Sequence, residues 1–511
     1  VTSEVTPLRI GIDPALASSS AEIKYTFRTL LRIAGFPYEF SWMGEGEQHR
    51  PIDIYYGRRA GGCPATITIS ASGNNFAEAG RLEPRALLES EIVPCLIFDR
   101  EHPETCYFRR DGIHFSNDIV LTCYWLLTGL WEARFPRDRR DNFYLGDSFF
   151  ISNGLAAAPL VSVYGTFLRT YLERFGKRPL SLPWNSGAKR AAFALTHDVD
   201  YPQIIRSIEI LRLLSTRGLA SLQPIRGVLD GTNHFWKFAD WVEFAKTRQA
   251  RPAFYFMARK GSLPQYALGT PDVFYDIRSC EFRELFRELL QEGCELGLHA
   301  SYHAHRSAEM LQAEKQALEE VAGVPIQGNR HHYWHLDPFA PHETLRKQEQ
   351  AGFRYDSSLE FEFYPGYRRG IAHPFHVFHT GERRELNILE LPPAWMDDHF
   401  DRRRKQNGIL DCAGYARRLV QAAQKTSGMV IVDYHQRGMN HSFYPRYGMW
   451  LMDFIKENLD STIRFYTPDE LARQYMDYET WLDDRSSDLT TATQASQVGA
   501  AFQWDVSTVL S

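Results

Sequence analysis

The sequence predicts a (β/α) barrel of seven or eight strands over residues 191–480, preceded by a smaller α/β domain over residues 1–180. Three observations carry this reading. After residue 190, short apolar runs alternate with helical stretches, the pattern of β/α units around a parallel sheet. The polar residues fall mostly at the C-terminal ends of those runs, where a β/α barrel builds its active site. Between the two parts, "GKRPLSLPWNSGAKR" (176–190) is rich in Pro, Gly and Ser and reads as a linker, tightest over 181–190.

In the first part, "LRIGID" reads as a strand, "AEIKYTFRTLLRIAG" as an amphipathic helix closed by Gly35, and "PIDIYYG" as a second strand. "SNDIVLTCYWLLTGLWEARF" and "APLVSVYGTFLRTYLERFG" have helical spacing, and the whole part shows no catalytic constellation. Past the linker the strand candidates are "AAFALTHDVD", "PAFYFMA", "CELGLHASYH", "IQGNRHHYW", "FRYDSSL", "NILELPPAW", "MVIVDYHQRG" and "TIRFYTP". Helices such as "CEFRELFRELLQEG", "SAEMLQAEKQALEEVAG" and "YARRLVQAAQKTSG" separate them, and this many units favours a closed barrel over an open sheet. The tail, residues 486–511, is polar and rich in small residues and is expected to be flexible.

Composition narrows the function classes. A chain of 511 residues with 44% hydrophobic residues, 24% charged residues and a formal net charge of −5 lacks the basic face that nucleic acid requires. Aromatic residues make up 14%, which suits carbohydrate platforms and plain cores alike. Seven cysteines without a C-x-x-C pair suit reduced thiols, so a cytoplasmic protein is expected. "VTSEVTPLRIGI" has no basic stretch followed by an apolar one, and no run approaches the length of a membrane span. Oligomeric state is not legible.

Asp198 and Asp200 close the first strand of the second part. Side chains alternate along a strand, so both carboxylates face one side and repel unless a positive group lies beside them. The third strand ends in His299 and His303, the fourth in Arg330 followed by His331, His332 and His335, the seventh in Asp433 and His435. Two imidazoles and a carboxylate form an N,N,O donor set for a divalent metal with coordination left open for water. Such an ion would let both aspartates stay ionised. Each element has a plainer reading: strand-end Asp as a helix N-cap, H-x-x-x-H as coincidence in a chain with 18 His, loop His as surface or core. Together, at the ends of successive strands, they point to an enzyme.

The order of "THDVD", "HASYH", "NRHHYW" and "VDYH" resembles the polysaccharide deacetylases of carbohydrate esterase family 4, the NodB homology domain, over about residues 190–475. The first motif follows a D-V-D variant, with Val199 standing where the usual form has its metal aspartate. "GFRYDSSLEF" and "GYRRGIAHPF" also look like segments of divergent members. The resemblance implies a distorted, NodB-like (β/α) barrel and a metal-dependent hydrolase that removes an N-acyl group from an amino sugar or polysaccharide, in surface-polysaccharide metabolism. It implies Asp198 as general base, Arg330 as its holder and His435 as general acid. Asp200, His299 and His303 become the metal ligands, with zinc favoured. Asp433, two residues before His435, would favour its cationic form, although an unrelated salt bridge suits it equally.

Tyr302, Tyr333, Trp334 and Trp395 are candidates for stacking on sugar rings, though core packing is the commoner role. Asp356, Trp395 and Asp397 are candidates for a fourth motif, Asp356 also for substrate contact. Two other readings stay open: an inactive glycan-binding or scaffolding barrel, and a barrel glycosidase using two strand-end carboxylates. The glycosidase leaves the three histidines unexplained.

Overall fold

The computed structural model describes residues 5–488, apart from 44–50, 59, 61–63, 74, 90–91, 99–105, 139–140, 142–143, 147, 218–221, 233, 268–269, 401–408, 410 and 445. The expected tail from residue 489 onward lies outside the described residues. The chain forms two compact units: one of residues 1–122, 167–180 and 479–511, the other of 123–166 and 181–478.

The first unit is built on a seven-stranded sheet. Its order is Ser487–Asp488, Tyr38–Trp42, Leu8–Ile12, Ile54–Gly57, Ile67–Ser70, Gly112–Phe115 and Cys106–Arg109, parallel except for the final hairpin. The apolar strand "LRIGI" sits near the centre, as a strand covered on both faces must. The helix Ser20–Ala34 buries Ile23, Phe27, Leu30 and Leu31 on its inward stripe. Gly35 ends it at φ 84°, and a Cβ there would meet the Leu180 carbonyl oxygen at 2.2 Å, so glycine is required.

The second unit holds a ten-stranded, curled and open half-barrel: a distorted β/α barrel. Its strands are β1 (Ala191–Val199), β2 (Ala253–Phe256), β3 (Glu295–Ala300), β4 (Gly328–His331), β5 (Tyr355–Asp356), β6 (Phe375–His379), β7 (Arg384–Glu390), β8 (Trp395–Met396), β9 (Met429–Asp433) and β10 (Ile463–Phe465). They lie in the order β6-β7-β5-β4-β3-β2-β1-β9-β8, with β10 beside the start of β1. Only the β6–β7 pair is antiparallel. The two end strands do not pair, so the barrel expected to close stays open. The run "NILELPPAW" splits into parts of β7 and β8 because its two prolines cannot donate to a ladder.

Amphipathic helices cover the outside. In Cys280–Gln291 the buried residues Phe282, Leu285, Phe286 and Leu289 follow helical spacing, and Phe286 packs edge-on against Phe256 of β2 at 4.7 Å. Each such side chain contributes roughly 1.5–3 kcal/mol on burial.

Inside, Gly297 and Gly328 leave room for the rings of Tyr255 and Tyr355. A Cβ on Gly328 would lie 1.9 Å from Tyr355 Cζ, and the two tyrosine hydroxyls meet at 2.9 Å. This layer is the floor on which Arg330 rests, 4.5 Å above the Tyr255 ring.

Two expected boundaries fall elsewhere. Residues 123–166 group with the second unit: Glu132 makes a two-pronged ion pair with Arg368 (2.9 and 2.8 Å), and Ser162 bonds His373 at 2.9 Å. The expected linker 181–190 also packs within that unit, because Trp184 is fully buried and donates its ring N–H to the Ser427 carbonyl at 2.7 Å. At the chain's other end, Ser487–Asp488 pair with Tyr38–Trp42 inside the first unit.

Candidate metal centre

Asp198 ends β1, and Asp200 follows it where the chain leaves the sheet. His299 of β3 lies between them, its Nε2 3.3 Å from Asp200 Oδ1 and 3.7 Å from Asp198 Oδ2, so both carboxylates do face one side. His332, just beyond β4, brings its Nε2 to 3.5 Å from the same Asp200 oxygen. Asp200, His299 and His332 thus place three ligand atoms within 4.8 Å of one another, and all three residues are buried.

The hydrogen bond made by His299 suits a cation beside its other nitrogen. His299 Nδ1 is 3.0 Å from the Arg330 carbonyl oxygen, which accepts its proton and leaves the Nε2 lone pair facing Asp200. His332 Nδ1 lies 3.8 Å from an Asp272 carboxylate oxygen, near enough for charge attraction but beyond hydrogen-bond distance. Asp200 Oδ1 is buried without a hydrogen-bond partner. The three ligand atoms therefore converge on one buried point. Tetrahedral ligands about 2.0–2.2 Å from an ion stand roughly 3.3–3.6 Å apart, which the 3.3 and 3.5 Å separations match. The residues fit a divalent metal.

Around this cluster stand the groups that move protons. Arg330, fully buried, reaches Asp198 Oδ1 at 3.2 Å and Asp433 Oδ1 at 3.1 Å with the same nitrogen. Its orientation is fixed by Thr196 Oγ1 (2.7 Å) and by the carbonyl and hydroxyl of Ser357 (2.9 Å each). One guanidinium cannot neutralise two carboxylates; burial, together with the Asp198 charge, pushes Asp433 well above the usual carboxylate range.

His435 follows β9. Its Nδ1 and its backbone N–H both meet Asp397 Oδ2 at 3.0 Å, and its Nε2 meets Asp200 Oδ2 at 3.0 Å. Burial opposes its charge, yet the Asp397 and Asp200 carboxylates hold its pKa well above the ordinary imidazole value. For Asp200 burial again works against the charged form, but His435 and His332 hold its carboxyl well below the usual range.

Asp198, Asp200, His299, Arg330 and His435 are therefore brought together. His303 is not: β3 ends at Ala300, the chain turns, and His303 Nε2 lies 3.3 Å from Thr270 Oγ1. His332 stands in the place expected for it. It is the first residue past β4, directly before a kink in which Tyr333 (φ 58°) and Trp334 (φ 53°) both adopt left-handed backbone, at a cost of about 1–3 kcal/mol each.

Asp433 serves Arg330; the carboxylate that favours cationic His435 is Asp397. Asp356 is fully buried and accepts from Asn329, Gln348 and Ser358, each at 2.9 Å, so these bonds tie it into the packed interior. Trp395 is core, packed against Phe193, Phe400 and Phe454. Tyr302 is buried and stacks on His335 at 3.9 Å; Tyr333 is half-buried beside His332; Trp334 is buried under the Arg330 guanidinium at 5.5 Å. Sequence reasoning passed over Asp272, which has no motif around it, and Arg437, whose Nη1 is 3.6 Å from Asp200 Oδ2.

Residues 15–177 match the model of a family of unknown function (DUF7033). No curated protein matches the chain. Among solved structures, the chain is similar to a putative polysaccharide deacetylase from Mycobacterium smegmatis, at 18% identity and TM-score 0.36 over 61% of this chain and 96% of that one. It is similar to Puue allantoinase, at 14% identity and TM-score 0.37 over 59% and 95%. A probable polysaccharide deacetylase from Pseudomonas aeruginosa PAO1 gives 14% identity and TM-score 0.37 over 59% and 96%.

Proposed function

We propose that this chain is a metal-dependent hydrolase that cleaves the N-acyl bond of an amino sugar or glycan. The observation that carries the reading is the convergence of Asp200, His299 and His332, with Asp198–Arg330 on one side and His435–Asp397 on the other. Asp200, His299 and His332 would hold a divalent ion, zinc by preference for an N,N,O set, which would supply Lewis acidity toward an acyl carbonyl.

The chain's own groups divide the proton work. Asp198, held by Arg330 and turned with its other oxygen toward the cluster, takes a proton from the attacking water. His435 enters as the cation, because Asp397 and Asp200 favour that form, and gives its Nε2 proton to the leaving nitrogen as the C–N bond breaks. One water is consumed, and a carboxylic acid and an amine result. His435 is the partly exposed member, its side chain 19% accessible, so substrate reaches the cluster from its side.

The test is acetate release from N-acetylated amino-sugar oligomers by the metal-loaded protein. Release that falls at least a hundredfold in both Asp198→Ala and His435→Ala is the expected result, in line with the usual size of acid–base contributions. Release that persists in those variants, or none from any N-acyl sugar, would overturn the reading.

A further inference from the structure

Between Asp200 and the helix Phe238–Lys246 that precedes β2, the chain inserts two helices, Arg206–Arg217 and Leu222–Asp230. The first buries Leu213 in a small cluster with Val228, Phe235 and Phe443, and Ile210 and Ile225 pack against it. Its opposite side is apolar as well: Ile208, Leu211 and Leu214 are 48%, 67% and 48% exposed. Ile205, just before the helix, and Leu222 and Leu229 on the second helix continue the surface. Six of the fourteen large exposed hydrophobic residues among those described lie on this one insertion. A helix that buries one apolar side and leaves a second apolar stripe exposed has a face without a partner, and a patch of this kind on a surface marks an interaction site.

Charge says which partner. Residues 201–230 carry Arg206, Arg212, Arg217 and Arg226 against Glu209 and Asp230, a cationic segment in a chain whose net charge is −5. Glu209 is itself engaged by Arg212. A second copy docking through this segment would bring two net-cationic segments together. A surface of anionic lipid would take the aliphatic residues into its headgroup boundary and pair with the arginines. No helix of the described residues is long and apolar enough to cross a membrane, so the contact is with the surface.

We propose that the insertion 201–230 docks this protein on an anionic lipid surface. It leaves the sheet directly after Asp200, and the Arg437 guanidinium that approaches Asp200 lies 4.9 Å above the Tyr201 ring, so the docked face is at the metal-cluster end of the barrel. Delivery of a lipid-borne substrate to that end is an extension that rests on the hydrolase reading; the docking itself does not.

The test is co-sedimentation of the full chain with vesicles of equal parts phosphatidylglycerol and phosphatidylcholine, beside vesicles of phosphatidylcholine alone. Binding to the anionic vesicles that weakens with added salt is expected. The double variant Leu211→Glu/Leu214→Glu, and the uncharged Leu211→Ser/Leu214→Ser, should lose at least about tenfold in partitioning, given the transfer energy of two leucines. Arg206→Glu/Arg226→Glu should lose severalfold, and all variants should keep their metal and thermal stability, since these side chains are exposed. Failure of the wild type to bind anionic vesicles would overturn the proposal, as would binding unchanged in the leucine variants. A wild-type dimer that the leucine variants turn into monomer would assign the face to a second copy and overturn it too. Each readout is independent of catalysis, so acetate release can fail while docking holds, and the reverse.

Discussion

Replacing Arg330 with Met removes the cation that two buried carboxylates share. The guanidinium is fully buried and makes its contacts with Asp198, Asp433, Thr196 and Ser357 within 3.2 Å. Methionine is close in length and fits over the Tyr255 ring, so packing changes little, but Asp198 and Asp433 are left facing each other. Removing one partner of a buried pair costs about 3–5 kcal/mol, and each kcal/mol moves the midpoint of a unit of about 340 residues by about 1.4 °C. The thermal midpoint of Arg330→Met should therefore drop by roughly 4–7 °C at pH 8.

The sign with pH follows from the carboxylates. Asp433 already lies above its ordinary range with Arg330 present, and losing the cation raises it further. A carboxyl whose folded pKa is raised costs stability above its unfolded pKa and ceases to cost once protonated. The deficit should shrink as pH falls toward 5. Asp433→Asn placed in the Arg330→Met background should recover about 1–2 kcal/mol by ending the repulsion. A midpoint unchanged or raised in Arg330→Met at pH 8, or a deficit that grows as pH falls, would refute the account of Arg330 as the cation that holds the pair.

Three further outcomes are expected. Asp397→Asn removes the main charge holding His435 in its cationic form, so the basic limb of the pH–rate profile for acyl hydrolysis should move down by about one to two pH units; a limb that stays put would assign the general acid elsewhere. Gly328→Ala forces a methyl to 1.9 Å from Tyr355 Cζ, and thermal unfolding should register a loss of about 1–3 kcal/mol; no loss would contradict the packed floor under Arg330. Burial pushes Glu295 up to about 7 from an ordinary 4.5, so the folded state keeps a proton the unfolded chain sheds in that window and stability falls as pH rises through it. Glu295→Gln should remove that slope and gain on the order of 2 kcal/mol over wild type at pH 8, read by denaturant unfolding.

What the sequence made legible is what strand periodicity and strand-end position decide. Alternation along "FALTHDVD" put Asp198 and Asp200 on one side, and both do reach His299. Arg330 and His435 were readable as strand-end residues, and Gly35 as the end of its helix. The third imidazole was not. The H-x-x-x-H spacing would pair His299 with His303 on one face only if the local structure continued, and β3 stops at Ala300. His332 lies directly before two consecutive left-handed residues, Tyr333 and Trp334, and bulky side chains give no local hint of that backbone. Asp397 lies 38 residues before His435 along the chain, so only β8 lying beside β9 brings them together. The openness of the barrel and the grouping of residues 123–166 depend on pairings between distant segments, which no local pattern records.

The most direct test of the central claim is the metal content of the purified chain, measured by elemental analysis after zinc is supplied, for wild type and for Asp200→Ala, His332→Ala and His303→Ala. About one divalent ion per chain, lost in Asp200→Ala and His332→Ala and kept in His303→Ala, is the predicted result. An ion-free wild type, or an ion kept in His332→Ala and lost in His303→Ala, would contradict it.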